Sequence, residues 1–207
     1  MRMDNKIPQT KMPVLRSKHG IQSREKMILD ATAANRTMWK TKNTENIIYI
    51  DLEKKLKQKP TIFADNTNTP FLSSSFDTIF YDPPHDIGKD DSDLLTMGKL
   101  QLKEAKATEH RLHTYYGLYY IKTVNDMIKH VYKAQKEFHR ILKHDGLVWL
   151  KWCEVKMKLT RILRIWTDWN VLIIINCTDP THTMGKQQTY WICLTKKKRE
   201  IVQTTLL

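Results

Sequence analysis

Cysteine is scarce and odd in number: Cys153, Cys177 and Cys193 are widely spaced and set in apolar runs. That excludes a disulfide framework or a paired-cysteine zinc knuckle, and fits buried thiols in a reducing compartment. Long apolar stretches are missing too, since none approaches the roughly 20 residues a membrane helix requires. The N-terminus lacks the apolar region of a secretory signal. A soluble cytoplasmic protein without membrane association is expected. Acidic residues are in deficit: 22 Asp and Glu stand against 35 Lys and Arg, a formal charge of +13. Such an excess suits a polyanion, because each neutralised phosphate releases a condensed counterion. Nucleic acid, DNA or RNA, is the partner it suggests; a basic chain without specific binding is the plainer account.

What is present is enough for one core. With 207 residues, 41% hydrophobic and 28% charged, two domains would each be marginal. Residues 1–24, with Pro8, Pro13, Gly20 and several Lys and Arg but no periodicity, read as a basic arm that either tracks phosphates or frays. A single domain over 25–207 follows. Short β-type runs alternate there with polar or helical segments, the pattern of a mostly parallel α/β sheet with helices on both faces. Strands are expected at 26–31, 46–52, 61–64, 76–81, 147–153, 170–177 and 189–195, with helices opening near Asn35 and covering 124–142 and 159–169. Residues 143–146 (KHDG) should end the second of these helices. The last two strands, joined without a crossover, must pair antiparallel. Residues 86–120 form an insertion far longer than an ordinary connection, which marks it as functional or mobile.

Ligands of an open parallel sheet bind beyond the carboxyl ends of its strands. Asp30, Asp51, Asp65 and Asp82 each close one of the first four expected strands, so four carboxylates should line one edge. Asp51 is placed to accept both hydroxyls of a ribose. Asp65 and Asn66 would lie beside a nucleobase amine. Taken singly, each acid reads equally well as a turn or cap residue.

Residues 76–85 (FDTIFYDPPH) are the decisive stretch. Two prolines cannot continue a central strand, so Pro83 and Pro84 make a rigid corner beside the Asp82 carboxylate. The lone pair of an exocyclic base amine is delocalised into its ring, which makes the amine a poor nucleophile. The Asp82 carboxylate and the Pro83 carbonyl together offer acceptors for both amine hydrogens and so favour pyramidalisation. His85 supplies a planar face for a base that has left its stack. The alternative is a structural turn carrying an ordinary histidine.

These residues resemble the class I S-adenosylmethionine-dependent amino-methyltransferases, whose fourth strand ends in Asp or Asn, two prolines and an aromatic ring. The resemblance covers about residues 26–196. Residues 29–39 (LDATAANRTMW), 76–85, Tyr116-Gly117, 138–143 (FHRILK), Lys151-Trp152 with Glu154, and Tyr190-Trp191-Ile192 look like small methyltransferases of phage, prophage and microbial origin. The resemblance implies a Rossmann-like seven-stranded sheet with a reversed last strand and S-adenosylmethionine as cofactor. It places that cofactor at Asp30, Ala31, Thr32, Ala33, Asn35, Asp51, Leu52, Asp65 and Asn66, and the target base at Asp82–His85. Where the family commonly has glycines after the first strand, this chain has Ala33-Ala34-Asn35, and Asn35 is the residue expected to adopt a left-handed conformation there.

With no large recognition domain, substrate contacts are expected from the arm and the insertion. Lys89 and Arg111, with Lys99, Lys103 and Lys106, would meet phosphates, and Tyr115 and Tyr116, with Tyr119 and Tyr120, would stack on bases; tyrosines packing the insertion onto the sheet are the alternative. Glu109, His110 and His113 lack the further ligands of a metal site, and a sulfonium donor needs no metal activation. The implied activity is methylation of an exocyclic amine on a nucleic-acid base, with DNA adenine or cytosine first. Methylation of a protein glutamine and a non-catalytic nucleic-acid-binding module on the same fold are the alternatives. A homodimer or a partner subunit is left open.

Overall fold

The computed structural model describes residues 25–85, 117–118, 120–121, 123–177 and 188–198. The arm 1–24 and most of the insertion, with Lys89, Arg111, Tyr115 and Tyr116, lie outside the described residues.

Seven strands form one sheet: β1 Ile28–Asp30, β2 Ile47–Asp51, β3 Ile62–Phe63, β4 Phe76–Tyr81, β5 Leu142–Cys153, β6 Trp169–Asn176 and β7 Thr189–Lys196. Their order is β3-β2-β1-β4-β5-β7-β6. β1 to β5 pair in parallel, and β7 runs antiparallel to both β5 and β6. The reversed strand is thus the last in sequence and the sixth in space. The chain builds outward from β1 to β3, then returns to place β4 on the other side of β1. Strand order therefore reverses between β1 and β4, where a parallel sheet opens a crevice at its carboxyl edge.

Helix α1 (Val124–Ile141) returns the chain from β4 to β5. Its start is fixed by a capping box: the Thr123 hydroxyl accepts from the Asp126 N–H, and the Asp126 carboxylate accepts from the Thr123 N–H. Val124, Met127, Val131, Ala134, Phe138 and Ile141 make its buried stripe. Helix α2 (Leu159–Leu163) is short. Phe138 meets Tyr81 at 4.9 Å between ring centroids, and Trp166, just after α2, lies 6.5 Å from Tyr81. Both described helices therefore cover the same face of the sheet.

Three expected elements take another form. The helix near Asn35 is a run of turns, because Ala34 (φ 44) and Arg36 (φ 55) adopt left-handed backbone. Arg36, only 8% exposed, replaces the helix as an anchor. Its guanidinium donates to the Lys42 carbonyl, the Asn43 side chain and the Lys59 carbonyl, and lies 3.9 Å above the Tyr49 ring. The helix expected at 159–169 stops at Leu163, because Trp166 and Trp169 turn inward. Their rings pack 5.3 Å apart, and the Trp169 Nε1 donates to Gln135 on α1. The fifth strand, expected from 147, already begins at Leu142 and takes in residues 143–146, which do follow the end of α1 at Ile141. They interrupt the ladder of β5, whose partners on β4 jump from Phe76↔Leu142 to Thr78↔Leu147.

The opposite face carries the turn-built segment after β1, with Trp39 set edge-on to Tyr49 and Phe80, and Trp191 beyond. Among the described residues no helix is long and apolar enough to cross a membrane. Phe138 is fully buried between β4 and the tryptophans. Phe138→Ala is therefore expected to lower unfolding free energy by about 3–5 kcal/mol, measured by denaturant titration.

Candidate functional site

Parallel pairing of β1 with β2 and β4 brings three acids to one dry edge. Asp30 is 1% exposed and Asp51 4%. The Asp30 carboxylate accepts from the Thr32 N–H and from the Trp39 indole at 2.7 Å. Asp51 accepts from the Glu53 and Ala34 N–H groups at 2.7 and 2.8 Å. Burial outweighs these hydrogen bonds and pushes each carboxyl from its ordinary 3.8 up to about 6; the charges of Asp51 and Asp82 add to the effect on Asp30.

Between these tips lies a cleft lined by Ala31, Thr32, Asp51, Leu52, Ala64, Asn66 and Leu118, with about 200 Å³ of empty volume including its mouth. Asn66 is fixed through its amide N–H₂, which donates to the Ala31 carbonyl. Its Oδ1 is buried without a hydrogen-bond partner, an acceptor held ready in the cleft wall. Gly117, next to the lining residue Leu118, has φ 63 and lies against the backbone of Leu52 and Glu53. A Cβ there would stand 2.5 Å from the Leu52 carbonyl carbon, so only glycine permits this approach.

The Asp82 corner adjoins the cleft through one hydrogen bond, from the Asp82 N–H to the Thr32 hydroxyl at 2.7 Å. Asp82 Oδ2 accepts from Lys151 Nζ of β5 at 2.9 Å. Asp82 Oδ1 is buried with no hydrogen-bond partner, and the His85 Nδ1 lies 3.8 Å away. Pro83 and Pro84 are buried. The Pro83 carbonyl faces His85 Nδ1 at 3.2 Å, so one of its lone pairs is engaged within the corner. The His85 ring sits edge-on to Trp152 at 6.4 Å.

Ala31, Thr32, Asp51, Leu52 and Asn66 thus line one cleft, with Asp30 and Asp82 beside it. Others among the expected residues point elsewhere. Asp65 accepts from the N–H and hydroxyl of Thr67, the local turn pattern, and its neighbour Asn66 takes the place in the cleft. The Asn35 side chain accepts from the Lys57 and Gln58 N–H groups at 2.9 and 3.2 Å, and the left-handed positions fall on its two neighbours. Ala33 donates to the Ile50 carbonyl and packs with Ile47 and Tyr49. Leu118 and Ala64 were not singled out by sequence reasoning, and Gly117 and Lys151 stood only among the motifs of the resemblance, without a place at the site. Gly117 carried a signal as the glycine closing the insertion, whereas the Lys151 partnership needs the β4–β5 register.

No protein-family profile matches the chain, and no curated protein matches it in sequence. Among solved structures, the PH0226 protein from Pyrococcus horikoshii OT3 is similar at 10% identity and a TM-score of 0.51, over 85% of this chain and 84% of that one. A TehB-like SAM-dependent methyltransferase from Corynebacterium glutamicum has 12% identity and a TM-score of 0.46, over 83% and 80%. The 1,6-didemethyltoxoflavin-N1-methyltransferase from Burkholderia thailandensis, solved with S-adenosylhomocysteine, has 10% identity and a TM-score of 0.48, over 84% and 72%. At these identities the likeness concerns the fold. The strand order with its reversed seventh strand makes that fold the Rossmann-like class I methyltransferase type.

The raised Asp51 carboxyl has a signed consequence for stability. A folded-state value of about 6 against 3.8 means that the native state holds a proton the unfolded chain has released. This contribution is complete below pH 3.8 and is lost as pH rises through about 6. The stability of the wild type minus that of Asp51→Asn should fall by roughly 1–3 kcal/mol across that window, as read from denaturant unfolding of both proteins at a series of pH values.

Proposed function

We propose that the chain is an S-adenosylmethionine-dependent methyltransferase acting on an exocyclic amine of a nucleic-acid base, with DNA adenine or cytosine before RNA. The observation that carries this reading is the Asp82 carboxylate. One oxygen is held by Lys151 and the other is buried without a hydrogen-bond partner, one residue link from the cleft at Thr32. A buried acceptor left open costs about 1–3 kcal/mol, which a donor from a bound substrate would recover.

The cleft chemistry fits the cofactor. Leu52, Ala64 and Leu118 offer apolar walls to an adenine, and the open Asn66 Oδ1 suits its amine. Asp51 suits a ribose diol, since a carboxylate that accepts two N–H groups keeps further lone pairs. Asp30 and Asp51, reluctant to ionise in a dry edge, would be relieved by a cationic ligand. The cofactor, when bound, supplies a methyl group activated by its sulfonium. The chain's own residues do the rest. Asp82 Oδ1 accepts one N–H of the target amine, and the remaining lone pair of the Pro83 carbonyl is available to the second. Drawing both hydrogens to one side localises the nitrogen lone pair on the other. When the nitrogen gains its methyl group it must lose a proton, and Asp82 is the acceptor at hand. Lys151 keeps the carboxylate turned for this. The +13 charge favours a polyanionic substrate over the side chain of a protein glutamine.

The test is incubation of the full chain with labelled donor and either DNA or RNA, followed by mass spectrometry of the nucleosides. A methylated amino group on one base is expected. Asp82→Ala should lower its formation by about 10²-fold or more while leaving the circular dichroism spectrum unchanged. Label found only in protein would favour the glutamine reading. Donor binding without transfer to any polymer would sink the proposal.

A further inference from the structure

The far edge of the sheet is built unlike the rest of this basic chain. β6 pairs, among the described residues, with β7 alone, which leaves its outer row of backbone groups open from Val171 to Ile175. Successive side chains on a strand point to opposite faces. Yet Val171, Leu172, Ile173, Ile174 and Ile175 are all exposed, at 43, 54, 51, 47 and 46%, so both faces are uncovered there. Edge strands ordinarily carry lysine, proline or inward charges against unwanted pairing. Residues 169–177 (WNVLIIINC) contain no charged residue and no proline, in a chain with 35 Lys and Arg. The one guard is an irregularity between Val171 and Ile173, which adds twist without blocking the edge.

The pattern of the strand selects its occupant. Residues 170–176 (NVLIIIN) have the same polarity read from either end, five aliphatic residues bracketed by two asparagines and centred on Ile173. A twofold interface must present the same patch to itself, and antiparallel pairing about Ile173 lays the five aliphatic residues of one copy on those of the other. A docked tail or an unrelated protein would require no such symmetry. We propose that β6 pairs antiparallel with β6 of a second copy of this chain, about a twofold axis near Ile173, joining two seven-stranded sheets into one. The interface lies at the β6 edge, separated from β4 by β5 and β7, and does not depend on the catalytic reading.

Light scattering and sedimentation of the full chain at micromolar concentration should give twice the chain mass. Ile173→Lys combined with Ile175→Lys should give a monomer with an unchanged circular dichroism spectrum. A second variant guards against misfolding of the first. Ile173→Cys, in a Cys177→Ser background, should form an interchain disulfide on mild oxidation. A residue on the axis faces its own copy at about 4.5–5.5 Å between Cα atoms, inside disulfide reach. A wild type that stays monomeric, a dimer that survives the double lysine variant, or an Ile173→Cys protein that does not cross-link would each overturn the proposal.

Discussion

Everything at the candidate site depends on β1 being gripped in parallel from both sides, by β2 and by β4. That pairing brings the ends of three strands out at one level and lets two short links cross the crevice. The Ala31 N–H donates to the Phe80 carbonyl at 2.9 Å, and the Asp82 N–H to the Thr32 hydroxyl at 2.7 Å. The first carries the β1 pairing one residue past the strand end, and the second ties the double-proline corner to the cleft wall. Without them the Asp82 carboxylate and the Asn66 amide would belong to separate loops.

The same grip creates the electrostatic problem that the site is built around. Burying carboxylates at one edge is costly unless they are neutralised, and here both Asp30 and Asp51 respond by holding protons up to about pH 6. Trp39 and the N–H groups of Thr32, Ala34 and Glu53 reduce that cost without removing it. Asp82 is handled differently, by a direct lysine partner from β5. Two carboxyls therefore await a counter-charge, and the third has one oxygen already spoken for and one open.

The sheet was largely legible in the chain, because strand runs such as 76–81 begin and end on residues whose burial the backbone pattern dictates. The reversed seventh strand followed from the lack of a crossover before it. What escaped the sequence was decided by tertiary contacts. Arg36 draws the segment after β1 into turns by reaching three separate partners. Trp166 and Trp169 end α2 early by seeking the α1 face. At the site, Asp30, Asp51 and Asp82 were recognisable as strand-end acids. Asp65 and Asn35 were equally plausible in composition, but each finds backbone or side-chain donors nearby that turn it from the cleft. Lys151 and Gly117 were visible as motif residues of the resemblance, but their places at the site come from the β4–β5 register and the backbone approach at Leu52.

The central claim is that this dry acidic edge is a seat for a cationic nucleoside donor. Calorimetric titration of the full chain with S-adenosylmethionine from about pH 5 to about pH 7.5 tests it most directly. The account predicts saturable binding that tightens as pH rises and the two carboxyls near 6 become charged. No binding at any pH, or affinity that improves as the solution becomes more acidic, would contradict it.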